Sequence, residues 1–545
     1  MRRYAAPAGL AVVLALAAFP SLKHYNVTWD EALGDFFFGE RYLSYFSTLD
    51  SSYLDFESDP YPSDRVPDLG TSPFRNRPWE YYPVANTLAA LSSAVLSRGL
   101  GLLDPFDGFH ALSLFLSAIL LAALFVFVQQ RFDTVAAVVS CALLCTSPRL
   151  VAHVFSNIKD VPEAVFFSLA LFAFVGAWER GSARGVLGAG LIWGLALGTK
   201  ANALFLPPII LLLVLTAGEP TAWKGRRRLL WSSLLGAGLL GAALVFALWP
   251  YLWPAPIAGA KLHLHYIGLR LFDTRPESIA SPLGAVALTT PVLFLVLLVL
   301  GMAICIGRVS TRDPKYLLPL AWIVVVIGRL YLPNAVNFDG VRHFLEAFPA
   351  FAIVAGVGAS WLYRKIRGTD PRPGRARRLA ATTVIVLALA PGAMAVARLH
   401  PLELAYWNEL AGGLSGARKN GMPQAGDYWG TSYRLGMDWL NNNAPQGTAL
   451  AVPILEHTVQ LVAPVRLRTD IGLLDISRHE GPDLRPDTFE IMEGLSRERR
   501  VYVMFVLRDD WRNPLIDDCL RRLDPLQSWS VDGEPVLLIY DWTPP

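Results

Sequence analysis

Runs of apolar residues, each closed by a short polar or basic stretch, divide roughly the first four hundred positions of the chain. Most runs hold about 17 to 25 residues, enough for a helix rising about 1.5 Å per residue to cross the ~30 Å hydrocarbon core of a bilayer. The pattern predicts about eleven spans, at 5–22, 107–130, 134–150, 161–178, 185–199, 202–217, 229–249, 283–307, 316–332, 345–363 and 379–397. The long stretch between the first two, 23–106, is mostly polar. Within it, Val84 to Leu103 reads as a helix that follows Pro83 and sits among polar neighbours. It is assigned to the interface as an amphipathic helix lying on the membrane, with an ordinary span as the alternative.

The basic stretches orient this array. With the N-terminus inside, RFD at 131, ERGSAR at 179, WKGRRR at 223, GRVSTRDPK at 307 and YRKIRGTDPRPGRARR at 363 all fall on the cytoplasmic side, as the excess of Lys and Arg in inner loops requires. Counting Val84–Leu103 as a span would reverse them. An odd number of spans sends everything after 397 to the outer face. Residues 2–20, with Arg2 and Arg3 ahead of LALAAFP, also fit a cleavable signal peptide, and either reading delivers His24 onward to the outer side.

From about Leu399 the long apolar runs stop and short helical and strand patterns alternate. TSYRLGMDWLNNN and PLIDDCLRRL read as helices, and TALAVPIL, VYVMFVL and PVLLIYDW as strands. The expected organisation is a polytopic α-helical membrane domain, 1–398, with a large first outer loop, 23–106, followed by a soluble α/β domain, 399–545.

Composition agrees with the membrane reading. The 545 residues are 53% hydrophobic and 17% charged, with mean hydropathy +0.38, more apolar than a soluble fold of this size. A formal net charge of +3 does not imply nucleic acid. Four cysteines are too few for a disulfide scaffold, and Cys141, Cys145 and Cys305 lie inside apolar runs.

On this topology four polar clusters meet at one face: TWDEALGDFFFGERY from Thr28, SPRLVAHVFSNIKDVPE from Ser147, GTKAN around Lys200, and NAVNFDGVRHFLEAFP from Asn334. Ionisable groups at membrane depth are costly, so such clustering marks use. Each member alone has a plainer reading: Asp30 and Glu31 as a solvated helix N-terminus, Lys159 with Asp160 as an interfacial ion pair, Lys200 as a snorkelling side chain, Arg342 and His343 as surface anchors.

At these residues the chain resembles the GT-C membrane glycosyltransferases, in particular the bacterial relatives of the protein O-mannosyltransferases and of the aminoarabinose transferases. In that family an Asp-Glu pair opens the first outer loop, where Asp30 and Glu31 stand, and interfacial helices follow a Tyr-Pro approach, here EYYPVAN. A second acidic residue after the third span matches Asp160, and a Lys near the outer end of the fifth matches Lys200. The segments HPLELAYWNELAGG and GDYWGTSYR do not look like the sugar-binding β-trefoil of the eukaryotic members.

The resemblance implies a polyprenyl-phosphate-sugar donor, an acceptor hydroxyl on a glycan, lipid or protein, and an inverting transfer at the outer face of the plasma (inner) membrane. Asp30 is the expected base, with Glu31 orienting it or the acceptor and Asp160 as the second catalytic acid. Lys159, Lys200, Arg342 and His343 are the expected partners of the donor phosphate, since fixed cations stabilise its growing charge. No cofactor is fixed by the sequence; a divalent metal could share the task, although no His/Asp/Glu cluster has ligand spacing. A lipid-linked sugar flippase or transporter is the alternative, but paired repeats and midplane helix breaks are missing. A receptor with the spans as scaffold would leave the acids unexplained.

Overall fold

The computed structural model describes residues 2–56, 74–271, 281–333, 335, 338–368, 370, 374–476 and 483–544. Among them seven helices are long and apolar enough to cross a membrane, including Pro105–Arg131, Asp160–Glu179, Arg227–Leu248 and Arg375–Leu399. The protein is therefore a polytopic helical membrane protein. The pair Thr134–Cys145 and Pro148–Ser156, bent by 66°, would make an eighth span. Three further apolar helices, Ala183–Leu197, Ala201–Thr216 and Val292–Ile306, are shorter. Length and composition thus single out fewer spans than the eleven predicted, and the shortfall falls on these short helices.

Two runs expected as single helices are broken, each at a proline. The run 134–150 bends before Pro148, and 283–307 divides into Pro282–Thr289 and Val292–Ile306 at Pro291. Proline lacks the N–H that would continue the helical ladder, and it pushes the preceding residue out of the α region. The predicted interfacial helix is Pro83–Ser93 with a wider turn, Ala94–Gly99, and it is not among the spanning helices. Part of the first loop, 57–73, and Asn334, Val336 and Asn337 lie outside the described residues.

Small residues let the membrane helices close up. A Cβ on Gly301 would come 1.9 Å from the Val354 carbonyl oxygen, and one on Gly358 would come 2.3 Å from that of Leu297. Helices Val292–Ile306 and Phe348–Arg367 therefore meet backbone to backbone.

The C-terminal segment carries one five-stranded sheet: β1 (Ala449–Ala451), β2 (Gly472–Leu474), β3 (Val501–Val506), β4 (Gln527–Val531) and β5 (Glu534–Trp542), in the order β2-β1-β3-β5-β4. β1 runs parallel to β2 and β3, and β5 antiparallel to β3 and β4. β3, VYVMFV, is buried at every position, as a strand covered on both faces should be. The expected strand TALAVPIL shrinks to β1 because Pro453 has no N–H for the ladder. The expected helices are present as Tyr433–Asn443 and Pro514–Arg522. This sheet packs in one continuous core with Val27, Phe36, Phe106 and Ile158 from the membrane part, which brings its loops over the helix ends.

Candidate active site

The site begins with a helix start. Thr28 accepts the first helical bond from the Ala32 N–H at 3.1 Å, and the Glu31 carboxylate reaches back to the Thr28 N–H at 2.7 Å. This is one arm of a capping box, for which the T-x-x-E spacing is the sequence signal. Glu31 also accepts from the Ile158 N–H (3.2 Å) and contacts His110 Nε2 (3.1 Å). Its oxygens are spent on holding three segments together, and it does not line the cavity described below. Asp30, one position earlier, does line it, with 27% of its side chain exposed.

Behind Asp30 the chain leaves the bent helix pair through Asn157. The Asn157 Oδ1 accepts from the N–H groups of Lys159 (3.1 Å) and Asp160 (2.7 Å), and its Nδ2 donates to Asp160 Oδ2 (3.0 Å). Asp160 is thereby fixed at the first turn of its helix, and it is 2% exposed. Its Oδ1 accepts from Lys200 Nζ at 2.6 Å, and its Oδ2 lies 4.0 Å from Arg342 Nη1.

Arg342 is the centre of the cluster. It donates through Nη1 to Asp30 Oδ2 at 3.0 Å and through Nε to Asp339 Oδ2 at 3.0 Å. Gly340, at φ +67°, makes the turn between Asp339 and Arg342 possible, and any side chain there would meet Arg149 and Tyr428. Lys159 Nζ stands 3.7 Å from Asp30 and 3.9 Å from Asp35. Burial pushes the Asp35 carboxyl up to about 7. Burial also works against the charge of Lys159, but Asp35 and Asp30 outweigh it and hold the ammonium above its ordinary value. The buried His343 Nε2 has no hydrogen-bond partner among the described residues, and the ring stands edge-on to Phe338 at 4.6 Å.

Asp30, Lys159, Lys200, Arg342 and His343 all line one cavity of about 510 Å³. The structure therefore brings together five of the seven residues singled out in the sequence, supports two of those five through the sixth, Asp160, and turns the seventh, Glu31, away. Other walls come from residues the sequence reading did not single out as site members: Tyr81 and Tyr82 of EYYPVAN, Tyr266, and Tyr428, Trp429 and Trp511 from the C-terminal segment. Asp35 and Asp339, silent as candidates, complete the acid ring. Their signal was proximity to DE and RH, which spacing alone does not distinguish from ordinary turn chemistry. Among the described residues no group of three or more His, Cys, Asp or Glu side chains is placed to hold a metal ion.

Residues 87–252 match the family model described as dolichyl-phosphate-mannose-protein mannosyltransferase. That stretch contains Lys159, Asp160 and Lys200, so the resemblance to GT-C glycosyltransferases of this type rests on a family match as well as on single residues. No curated protein sequence matches the chain. Among solved structures, ArnT from Cupriavidus metallidurans in the apo state is similar over 97% of both chains at 14% identity, with a TM-score of 0.48. The same protein bound to undecaprenyl phosphate gives 15% identity, 97% of both chains and 0.46. The archaeal oligosaccharyltransferase AglB from Archaeoglobus fulgidus, in complex with an inhibitory peptide and a dolichol-phosphate, gives 13% identity over 91% of this chain and 69% of that one, at 0.46.

Proposed function

We propose that this membrane protein is a glycosyltransferase that moves a sugar from a polyprenyl-phosphate-sugar to an acceptor hydroxyl at the outer face of the membrane, with inversion. The observation that carries the reading is the cavity in which one partly exposed carboxylate, Asp30, stands beside Lys159, Lys200, Arg342 and His343. A donor of this class needs such a pairing: a base for the acceptor proton and cations for the departing phosphate.

In the reaction Asp30 accepts the acceptor O–H proton as that oxygen attacks the anomeric carbon. The carbon–oxygen bond to phosphate breaks, and the polyprenyl phosphate leaves with the electron pair. Arg342 and Lys200 stabilise its charge, Arg342 through a planar fork and Lys200 as a point charge. Asp160 sets the position of both cations, and the Nε2 of His343 offers a further contact. A single displacement inverts the sugar; retention would need a second carboxylate free to attack within about 5.5 Å, whereas Asp35 and Asp160 are buried against cations.

The same reading places the C-terminal segment outside, as a domain from about 399 onward, with the short apolar helices completing an eleven-span array. Purified chain incubated with radiolabelled polyprenyl-phosphate sugars should release label from the lipid and leave polyprenyl phosphate. Transfer of the intact lipid across vesicles without consumption would replace the enzyme by a transporter. Alkaline phosphatase fused after Pro545 should be active; an inactive fusion of normal abundance would overturn the orientation.

A further inference from the structure

The guanidinium of Arg342 is engaged within its plane by two carboxylates, Nη1 with Asp30 at 3.0 Å and Nε and Nη2 with Asp339 at 3.0 and 2.8 Å, which leaves its two faces to other groups. Two rings restrain it, with the guanidinium carbon 5.0 Å from the Phe338 centroid and 4.9 Å from that of Trp429. Trp429 also donates from Nε1 to Asp339 Oδ2 at 3.2 Å, so it touches both Arg342 and the carboxylate that holds it. Phe338 belongs to the same short turn as Arg342. Trp429 comes from the C-terminal segment, far along the chain.

The loop that carries Trp429 is rigid for local reasons. The Asp427 carboxylate accepts the N–H groups of Trp429 (3.0 Å), Gly430 (2.9 Å) and Ser432 (2.6 Å), together with the Thr431 hydroxyl (3.3 Å). Gly430 takes φ +78° to close the turn. The loop is then tied outward in three directions. Thr431 O accepts from the Asn26 N–H at 2.8 Å, Tyr428 Oη meets His153 Nε2 at 3.2 Å, and Arg508 Nη1 donates to Tyr428 O at 2.9 Å. Asn26 leads into the helix that carries Asp30, and His153 lies on the helix that leads to Asp160.

We infer that Trp429 is a positioning residue for the donor phosphate: it fixes the plane of Arg342, so that the C-terminal segment completes the phosphate site. The inference rests on the proposed transferase reading. A guanidinium presents two parallel N–H groups to a phosphate only when its plane is held, and an aromatic face holds a cation without consuming a donor. The indole N–H to Asp339 sets the tilt of the ring itself. The GDYWG turn of the C-terminal segment therefore acts on the ligand through Arg342.

The test is binding of undecaprenyl phosphate to the purified full-length chain in detergent, with unfolding midpoints recorded for every variant. Trp429→Ala should weaken binding roughly three- to thirty-fold, the span expected for losing one cation–π contact. Trp429→Phe, which keeps a ring face, should recover most of the loss, and Trp429→Leu, of similar bulk without that face, should not. In an Arg342→Ala background Trp429→Ala should add nothing. Equal binding by Trp429→Leu and Trp429→Phe, or losses that add fully to that of Arg342→Ala, would overturn the inference while leaving the transferase reading intact. If the wild-type chain binds no undecaprenyl phosphate, both fall together.

Discussion

Every guanidinium nitrogen is spoken for around both Arg466 and Arg342, but beside Arg342 the Lys159 ammonium is held at longer range and, among the described residues, an imidazole nitrogen is left over. Arg466, in the C-terminal segment, donates to Asp104 at 2.8 and 2.9 Å, to Asp107 at 2.6 Å and to the Tyr25 carbonyl at 3.3 Å. Arg434 adds a contact to Asp104 at 3.4 Å. Against the cost of burial, Arg466 holds Asp104 well below the usual carboxylate range. This cluster does not line the 510 Å³ cavity and clamps the C-terminal segment to the start of helix Pro105–Arg131. The Arg342 cluster lies at the same junction and has similar charges, but Lys159 stands beyond hydrogen-bond reach of its acids and His343 Nε2 has no partner among the described residues. Charge density alone does not mark a site. What marks it is polar capacity left unfilled beside a space, which a ligand's anion can complete.

Asp30→Asn is the sharpest way to break this contrast. It keeps size and hydrogen bonding but removes the base, so turnover of labelled donor should fall by roughly 10² to 10⁴. Near-normal turnover would make the Arg342 cluster a second clamp. Arg466→Ala should act on the other side of the comparison, leaving buried Asp107 and half-buried Asp104 with only the more distant Arg434 and lowering stability by up to about 3–5 kcal/mol in reversible unfolding. A midpoint unchanged from wild type would remove the clamp.

Arg342→Ala should cost less stability than Arg466→Ala and instead weaken binding of a non-hydrolysable donor analogue by about one to two decades. Arg342→Lys should restore only part of it. Unchanged binding in Arg342→Ala would move the phosphate to Lys159 or Lys200. The smallest effect concerns Asp35. Its carboxyl, raised from 3.8 to about 7 by burial, binds a proton more tightly folded than unfolded. Its contribution to stability is therefore full below about 3.8 and is lost as pH rises through about 7. Asp35→Asn should flatten that decline; a wild-type-minus-variant difference independent of pH between these values would show that Asp35 does not titrate there.

The sequence made the membrane array legible because a span announces itself by length and apolarity, as at 107–130 and 161–178. It also exposed Asp30, Lys200 and Arg342, because charges at helix ends stand out against hydrocarbon. Two errors came from reading through prolines: Pro148 and Pro291 both stood in plain view within apolar runs, where hydropathy averages them away. For Glu31 the DE pair drew the eye, while the T-x-x-E spacing beside it carried the signal for the helix start that the structure shows. Trp429 and Arg466 were beyond reach. Neither lies near its partner in sequence, and the approach depends on the sheet packing against Phe36, Phe106 and Ile158, a contact no local pattern encodes. The DG turn at Asp532-Gly533, which joins β4 to β5, was a readable hairpin signal left unused.

The cavity wall runs from Trp29 near the start of the chain to Trp511 near its end. During synthesis the helix bearing Asp30 emerges first, and the loops bearing Trp429 and Trp511 follow on the order of tens of seconds later at ordinary elongation rates. Over that interval the cations at Lys159, Lys200 and Arg342 join the carboxylate one after another, with the cavity walls from the last third of the chain still missing. On the proposed transferase reading, a chain that lacked its last third would present Asp30 and the cations without the walls that Trp429 and Trp511 supply.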